Sequence, residues 1–435
     1  MPTVSDHLLR LRTDVEGQRV PTARYTSRDF AELERERLWS RVWQWACLED
    51  EVLAVGAYYE HQVGDQSYLI VRGSDGTLGA FHNVCMHRGN KLRSGHGTAK
   101  ELTCFYHRWS WDIDGVLHDV PDRHTFPTFD DACFGLQRVR VDTWEGLVFI
   151  NPDPDAPALS EYLAPLTERL APYHFGRHVC TRGATMPIAA NWKTIVDGFL
   201  DVYHLQGVHP QLLKFLDDVN TTYEVLGPHS AMYMPMAQAS PRLGDTSEQV
   251  IIDELAKPAA GFHGKVLRKS PHFVEDEHGA RLTDGVTVRQ ALLEVGRQEQ
   301  LDHGFDFAGL TDEQMVDDHH YFFFPNTVCN VYAGHFIAAR IRPHATDHER
   351  CFFDMFIFNW LTDDERATRP PRSLVIAEEG DSVGRVPDQD FTALPKVQLG
   401  MHSAGLSHLF LNSQEIRVQH FHEVVDHYVY GGAAT

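Results

Sequence analysis

Apolar side chains at Phe30, Leu33, Leu38 and Val42 alternate with charged ones over residues 28–43. That spacing predicts an amphipathic helix, with Ser27 able to cap its start. From about Glu51 to Ile150 the pattern shortens to runs such as SYLIV, LGAFHNV and GLVFI, separated by Gly-Asp, Ser-Asp-Gly and Asp-Gly turns. Such alternation predicts a compact all-β unit, and Asp114-Gly115 within SWDIDGVLHDV is its strongest hairpin signal. Residues 151–165, NPDPDAPALSEYLAP, are rich in Pro and Asp and predict a boundary. Beyond it an α+β unit is expected. It has a helical segment around residues 191–206, a polar stretch of mixed signals over 240–315, and strand-like runs HHYFFFPNTVCNVYAGHFIAARIRP and RCFFDMFIFNWL. A closing helix should follow a cap at Asn412 or Ser413.

A length of 435 residues exceeds what one core usually fills, so at least two domains are expected. The formal charge of -22 disfavours nucleic acid and anionic membrane surfaces, both of which reward clustered Lys and Arg. Neither a membrane-length apolar run nor the apolar core of a signal peptide is present, so a cytoplasmic protein is expected. The seven cysteines are odd in number and scattered, unlike a disulfide framework, and 27 histidines raise the prospect of metal binding.

Cys85-x-His87, sixteen further residues and then Cys104-x-x-His107 place two thiolates and two imidazoles on two short loops of the β unit. Such a quartet can hold a [2Fe–2S] cluster, one iron on the sulfurs and the other on the imidazoles. A structural Zn²⁺ would accept the same residue types. The segments CMHRGN (85–90) and CFYHRWSWDIDG (104–115) resemble the cluster-binding loops of Rieske iron–sulfur domains. That resemblance pairs Cys85 with Cys104 and His87 with His107, and Trp109 and Gly115 fit it as well. Phe105 stands where Pro is common and Arg108 where Gly is common.

Asp197, Asp201 and His204 fall on one stripe of a helix, whereas His209 lies about 140° further round. Joint ligation by His204 and His209 therefore requires the backbone to unwind, and Gly207 and Pro210 are placed to permit it. Two imidazoles and a carboxylate form the facial triad of non-haem iron oxygenases; zinc hydrolases use similar ligands. Asn191-Trp192-Lys193 and Asp201-x-x-His204-x-x-x-x-His209 together resemble the catalytic motif of aromatic-ring-hydroxylating oxygenases, whose alpha subunits carry a Rieske domain before it.

The resemblance implies a third iron ligand far downstream. PDQDFTALPKVQLG makes Asp390 the best match and Asp388 the alternative, both expected in a loop. It also implies that Asp201 bridges a cluster histidine of one protomer to His204 of the next, and that Asn191 lies near the iron. The implied architecture is α+β. Residues 1–44 would form a helical segment packed on the catalytic domain, 45–155 the Rieske domain, and 156–435 a catalytic domain of antiparallel sheet and helices, helix-grip-like. The implied cofactors are a [2Fe–2S] cluster and a mononuclear Fe²⁺. Electrons would come from NADH or NADPH through a separate reductase, with or without a ferredoxin, because the chain has no Gly-rich dinucleotide motif. The implied assembly is a homotrimer, with or without a small β subunit. The implied reaction is O₂-dependent hydroxylation, as cis-dihydroxylation, of an apolar aromatic or polycyclic substrate. Monooxygenation or oxidative demethylation is the second reading, and a non-catalytic electron carrier or zinc protein the third.

Overall fold

The computed structural model describes residues 19–257, 261–283, 285–305 and 307–431. The first 18 residues of the expected N-terminal segment lie outside them. Helix α1 (Arg28–Arg37) starts as predicted, the Ser27 side chain accepting the Phe30 N–H. It ends five residues before Val42, but Leu38 and Val42 are still fully buried, in the turn that follows.

The all-β unit is built from β1 (Gln44–Leu48), β2 (Ala57–Val63), β3 (Gln66–Arg72), β4 (Leu78–His82), β5 (His96–Thr98), β6 (Glu101–Thr103), β7 (Ser110–Asp112), β8 (Leu117–Asp119), β9 (Arg138–Trp144) and β10 (Leu147–Asn151). Seven strands form an antiparallel sheet in the order β1-β10-β9-β4-β3-β2-β5, and β6-β7-β8 form a second. The Asp114-Gly115 turn joins β7 to β8 as expected. Gly115 has φ 83°, and a Cβ there would stand 2.4 Å from the Phe81 ring, so the residue is held to glycine by space as well as by backbone.

The expected boundary at 151–165 is only partly one. Its second half starts helix α2 (Leu159–Leu170), whose Leu159, Leu163, Leu166 and Leu170 recur at helical spacing and are all buried. The second unit then supplies β11 (His178–Ile188), α3 (Trp192–Leu200), α4 (Leu205–Val208), β12 (Thr222–Leu226), β13 (His229–Met234), β14 (Asp318–Phe323), β15 (Thr327–Tyr332), β16 (His335–Pro343), β17 (Cys351–Trp360), β18 (Ser373–Ile376), α5 (Arg385–Gly400) and α6 (Ile416–Tyr430). Its eight strands run β12-β13-β14-β15-β16-β17-β11-β18, with only the β11–β18 pair parallel.

This sheet is largely buried on both faces because both are covered. Tyr321, Phe323, Cys329, Val331, Phe336 and Phe358 pack with Trp45 and Phe149 of the β unit and with the leucines of α2. The opposite face looks towards α3, α4 and α5. Helix α3 is locked beneath α1 by a buried ion pair, Lys193 Nζ to Glu34 Oε1 at 2.8 Å, and Trp192 Nε1 donates to the same carboxylate. Asn191 is the α3 N-cap, its Oδ1 accepting the Lys193 N–H at 2.9 Å. No helix among the described residues is long and apolar enough to cross a membrane.

Candidate metal centres

Two loops carry the Cys/His quartet, one between β4 and β5 and the other between β6 and β7, and they fold almost identically. In the first, Cys85 N–H donates to Asn90 O and Gly89 N–H to Cys85 O; in the second, Cys104 N–H donates to Trp109 O and Arg108 N–H to Cys104 O. The fourth residue after each cysteine is left-handed: Gly89 at φ 76° and Arg108 at φ 63°. Both thiols are buried, and both imidazoles reach the surface.

Cys85 and Cys104 lie within hydrogen-bonding reach of each other. Burial pushes both thiols up; at Cys104 the N–H groups of Tyr106 and His107 outweigh it and hold the thiol below its ordinary value. The rings of His87 and His107 are 4.6 Å apart, and His87 stacks on buried Trp109. His87 Nδ1 is buried without a hydrogen-bond partner among the described residues. The donors thus fall into a sulfur pair and a nitrogen pair. Among the described residues, the one group of three or more donors within 4.8 Å of one another is elsewhere, at His204, His209 and Asp390. Two pairs suit a two-iron cluster, whereas a tetrahedral Zn²⁺ would need all four donors around one point.

The second centre begins where α3 ends. The expected continuous helix over 191–206 is broken at Asp201, which is extended, and α4 restarts at Leu205. The break has a local cause: Asp201 Oδ1 accepts both the backbone N–H and the Nδ1–H of His204, each at 3.0 Å, in competition with the helical ladder. The unwinding that joint use of His204 and His209 requires is therefore at Asp201 rather than at Gly207. Asp197 does not join them, because it accepts from Tyr25 Oη at 2.6 Å and faces His422 at 3.3 Å. Asn191 is also remote. It caps the far end of α3, donates to His348 O, and is absent from the cavity wall described below.

The downstream carboxylates sit in helix α5, not in a loop. Pro387 falls in the first turn, where no backbone N–H is needed, so proline here marks a helix start. Asp388 turns back to cap that start, accepting from Ser382 Oγ and Val383 N. Asp390 turns inward, with Oδ1 2.8 Å from His209 Nε2 and 3.9 Å from His204 Nε2. Close helix packing makes this possible: a Cβ on Gly198 of α3 would stand 2.8 Å from Leu394 of α5.

Two participants escaped the sequence reading. Gln389 Oε1, which can only accept, lies 3.0 Å from His209 Nδ1, so Nδ1 carries a proton and Nε2, facing Asp390 Oδ1, is the atom His209 would offer to a metal. Asp201 imposes the same tautomer on His204. Burial opposes charge on His204, but Asp201, Asp390 and Glu415 outweigh it and raise its pKa. Glu415, half-buried and close to Asp201, is itself raised to about 7 by desolvation. The one signal for Gln389 was its place between the two candidate aspartates; Glu415 gave none.

The triad borders a cavity of about 320 Å³. Phe199, Phe215, Met232, Met234, Phe353 and Met355 are among the apolar side chains of its wall, and Asp318, His320 and Asn330 form a polar strip on the sheet. Phe199, Val202 and Leu205, next to the iron ligands in sequence, line it, whereas Leu200 and the apolar run Phe322, Phe323 and Phe324 lie in the cores.

Residues 173–431 match the family described as ring hydroxylating alpha subunit (catalytic domain), and residues 42–130 match the Rieske [2Fe–2S] domain. The glycine betaine monooxygenase oxygenase subunit of Pseudomonas aeruginosa is 33% identical over 46% of this chain and 47% of its own length. The carnitine monooxygenase oxygenase subunit of Escherichia coli is 34% identical over 57% of this chain and 65% of its own. The matched stretches thus span about half to two thirds of those relatives. A solved quaternary ammonium Rieske monooxygenase has the same fold, with a TM-score of 0.65 at 20% identity over 94% of this chain and 95% of that one.

Proposed function

The chain belongs to the ring-hydroxylating alpha-subunit family, and from that premise we propose that it is the terminal oxygenase of a multi-component system, acting by monooxygenation or oxidative demethylation. One observation carries the reading: His204, His209 and Asp390 converge at the wall of a largely apolar cavity, two imidazoles and one carboxylate on one side of a point. In it, Cys85 and Cys104 hold one iron of a [2Fe–2S] cluster, His87 and His107 hold the other, and the triad holds Fe²⁺. When bound, the cluster supplies single electrons and the mononuclear iron supplies the site of O₂ activation. Asp201 and Gln389 keep both Nε2 atoms turned to the metal, and the Phe and Met side chains exclude water from it. Electrons come from NAD(P)H through a separate reductase, with or without a ferredoxin. In a homotrimer Asp201 would connect His204 to a cluster histidine of the neighbouring protomer.

The substrate class departs from the apolar arene that the sequence suggested. Asp318 is a buried carboxylate in the cavity wall, held by Asn330 Nδ2 at 3.0 Å and Tyr332 Oη at 2.6 Å, with no cationic partner among the described residues. A carboxylate so placed favours a positively charged ligand, and the rings of Phe199, Phe215 and Phe353 in the same wall suit a quaternary ammonium group. That chemistry is shared with the substrates named for the two relatives. The test is to purify the chain with iron and a surrogate reductase, record its EPR spectrum, and measure O₂ uptake with L-carnitine, glycine betaine, toluene and naphthalene. A cluster signal with uptake on a quaternary ammonium compound is expected. Uptake on arenes alone would overturn the substrate class and keep the oxygenase; no cluster signal and no uptake would overturn both.

A further inference from the structure

Arg417 is buried on α6 beneath the sheet wall of the cavity. Its Nε donates to Ser230 Oγ at 3.0 Å and its Nη1 to His320 Nδ1 at 3.1 Å; among the described residues it has no acidic partner. A guanidinium only donates, so His320 Nδ1 must accept, and a neutral ring then carries its proton on Nε2. Burial, with Arg417 alongside, pushes the His320 pKa well down and keeps the ring neutral. The Nε2 atom so protonated is buried and has no hydrogen-bond partner among the described residues, although His320 lines the cavity. A buried N–H without a partner costs about 1–3 kcal/mol, which gives this edge of the ring a strong demand for an acceptor.

We propose that His320, held by Arg417 as the Nε2–H tautomer, is the hydrogen-bond donor by which the cavity reads an acceptor oxygen on its substrate, and that this oxygen belongs to a carboxylate. The uncompensated charge of Arg417 directly behind the imidazole is what favours an anionic acceptor over a neutral one. The donor is flanked in register by Met232 on β13 and Asn330 on β15. Asp318 lies two residues earlier on the same strand face, about 7 Å away by strand geometry. The wall thus presents a positive and a negative pole within the length of a small zwitterion. His320 is a specificity-determining residue, and Arg417 is a positioning residue that acts through it. The proposal rests on the cavity being the substrate chamber.

The test uses two matched pairs of probes with the metal-loaded chain, binding measured by calorimetry: γ-butyrobetaine against n-butyltrimethylammonium, and 4-methylbenzoate against p-xylene. The wild type should bind the carboxylate member of at least one pair about tenfold more tightly than its partner, about 1.4 kcal/mol. His320→Phe should erase that preference and leave the weaker partner's affinity unchanged. His320→Gln, which places an amide N–H near the Nε2 position, should keep it. Arg417→Met should weaken only the carboxylate members, a selectivity that loss of folding would not produce, with the cluster EPR signal confirming that the chain is intact. Equal binding within every pair, or a preference that survives His320→Phe, would overturn the donor role and leave the chamber intact. Binding of the second pair alone would overturn the quaternary ammonium reading and keep the donor. Binding of no probe would overturn both the donor and the chamber.

Discussion

The two candidate metal centres are built on opposite plans. At the Cys/His quartet the ligands come from two short loops of like conformation, within 23 residues of sequence, and the imidazoles reach solvent. At the triad His204 and His209 stand at the two ends of α4, after the break at Asp201, Asp390 arrives on a helix 181 residues beyond His209, and His209 and Asp390 are buried. A site assembled from local loops is specified by spacing. A site assembled from packed helices is specified by what lets them approach, here Gly198 against Leu394, and by the groups that orient each ligand.

Orientation should therefore matter most at the second centre. Asp201→Asn retains the shape but cannot be the same strong acceptor for His204 N–H and Nδ1–H; we expect both metals to remain bound and turnover to fall about 100-fold. Steady-state O₂ consumption with iron analysis checks this, and turnover near wild type would remove Asp201 from the electron path.

The chamber beside the buried centre should lose stability as the pH rises. Burial raises the Asp318 pKa from its ordinary 3.8 to about 6. Between those values the folded chain keeps a proton that the unfolded chain has lost, so stability falls as pH rises from about 4 to about 6, by about 3 kcal/mol, and is constant above. Denaturant unfolding of Asp318→Asn should lack that part of the slope. An unchanged pH profile would show that Asp318 is not desolvated.

A smaller effect is expected from Gln389→Leu, which removes the acceptor of His209 Nδ1–H. Mononuclear iron affinity should drop about tenfold while the cluster EPR spectrum is untouched. Iron titration monitored by activity recovery reads the difference, and unaltered affinity would assign Gln389 to packing alone.

The smallest effect belongs to the cluster loops. Arg108 occupies the left-handed position that Gly89 fills in the twin loop, at a cost of about 1 kcal/mol in backbone strain. Arg108→Gly should raise stability by about 0.5–1 kcal/mol, read as a higher melting temperature of the loaded chain. A lower one would mean that the Arg108 side chain contributes more than its backbone costs.

The same contrast decided what could be read in the sequence. The β unit, its Asp114-Gly115 hairpin and the paired loops are local, so alternation, turn residues and ligand spacing expose them. The strands 318–360 were legible as apolar runs, but not the polar strip Asp318, His320 and Asn330, because a sheet covered on both faces does not announce which face borders a cavity. The break in the iron helix was placed too late, since Gly207 and Pro210 look like breakers and the Asp201 side chain does not. Asn191 reads as a polar residue beside a motif, yet it caps the helix far from the triad. Asp388 and Asp390 were expected in a loop; Pro387, a proline in the first turn, instead starts the helix that turns one carboxylate inward and the other back.

The central claim is that the chain carries two separate iron centres, with Asp390 completing the second. Iron content and EPR of Asp390→Ala and Asp388→Ala, compared with wild type, test it most directly. About three irons per chain are expected in the wild type and in Asp388→Ala. In Asp390→Ala about two should remain, with the cluster signal unchanged and no turnover. Full iron occupancy and turnover in Asp390→Ala, or loss of the cluster signal along with the third iron, would contradict it.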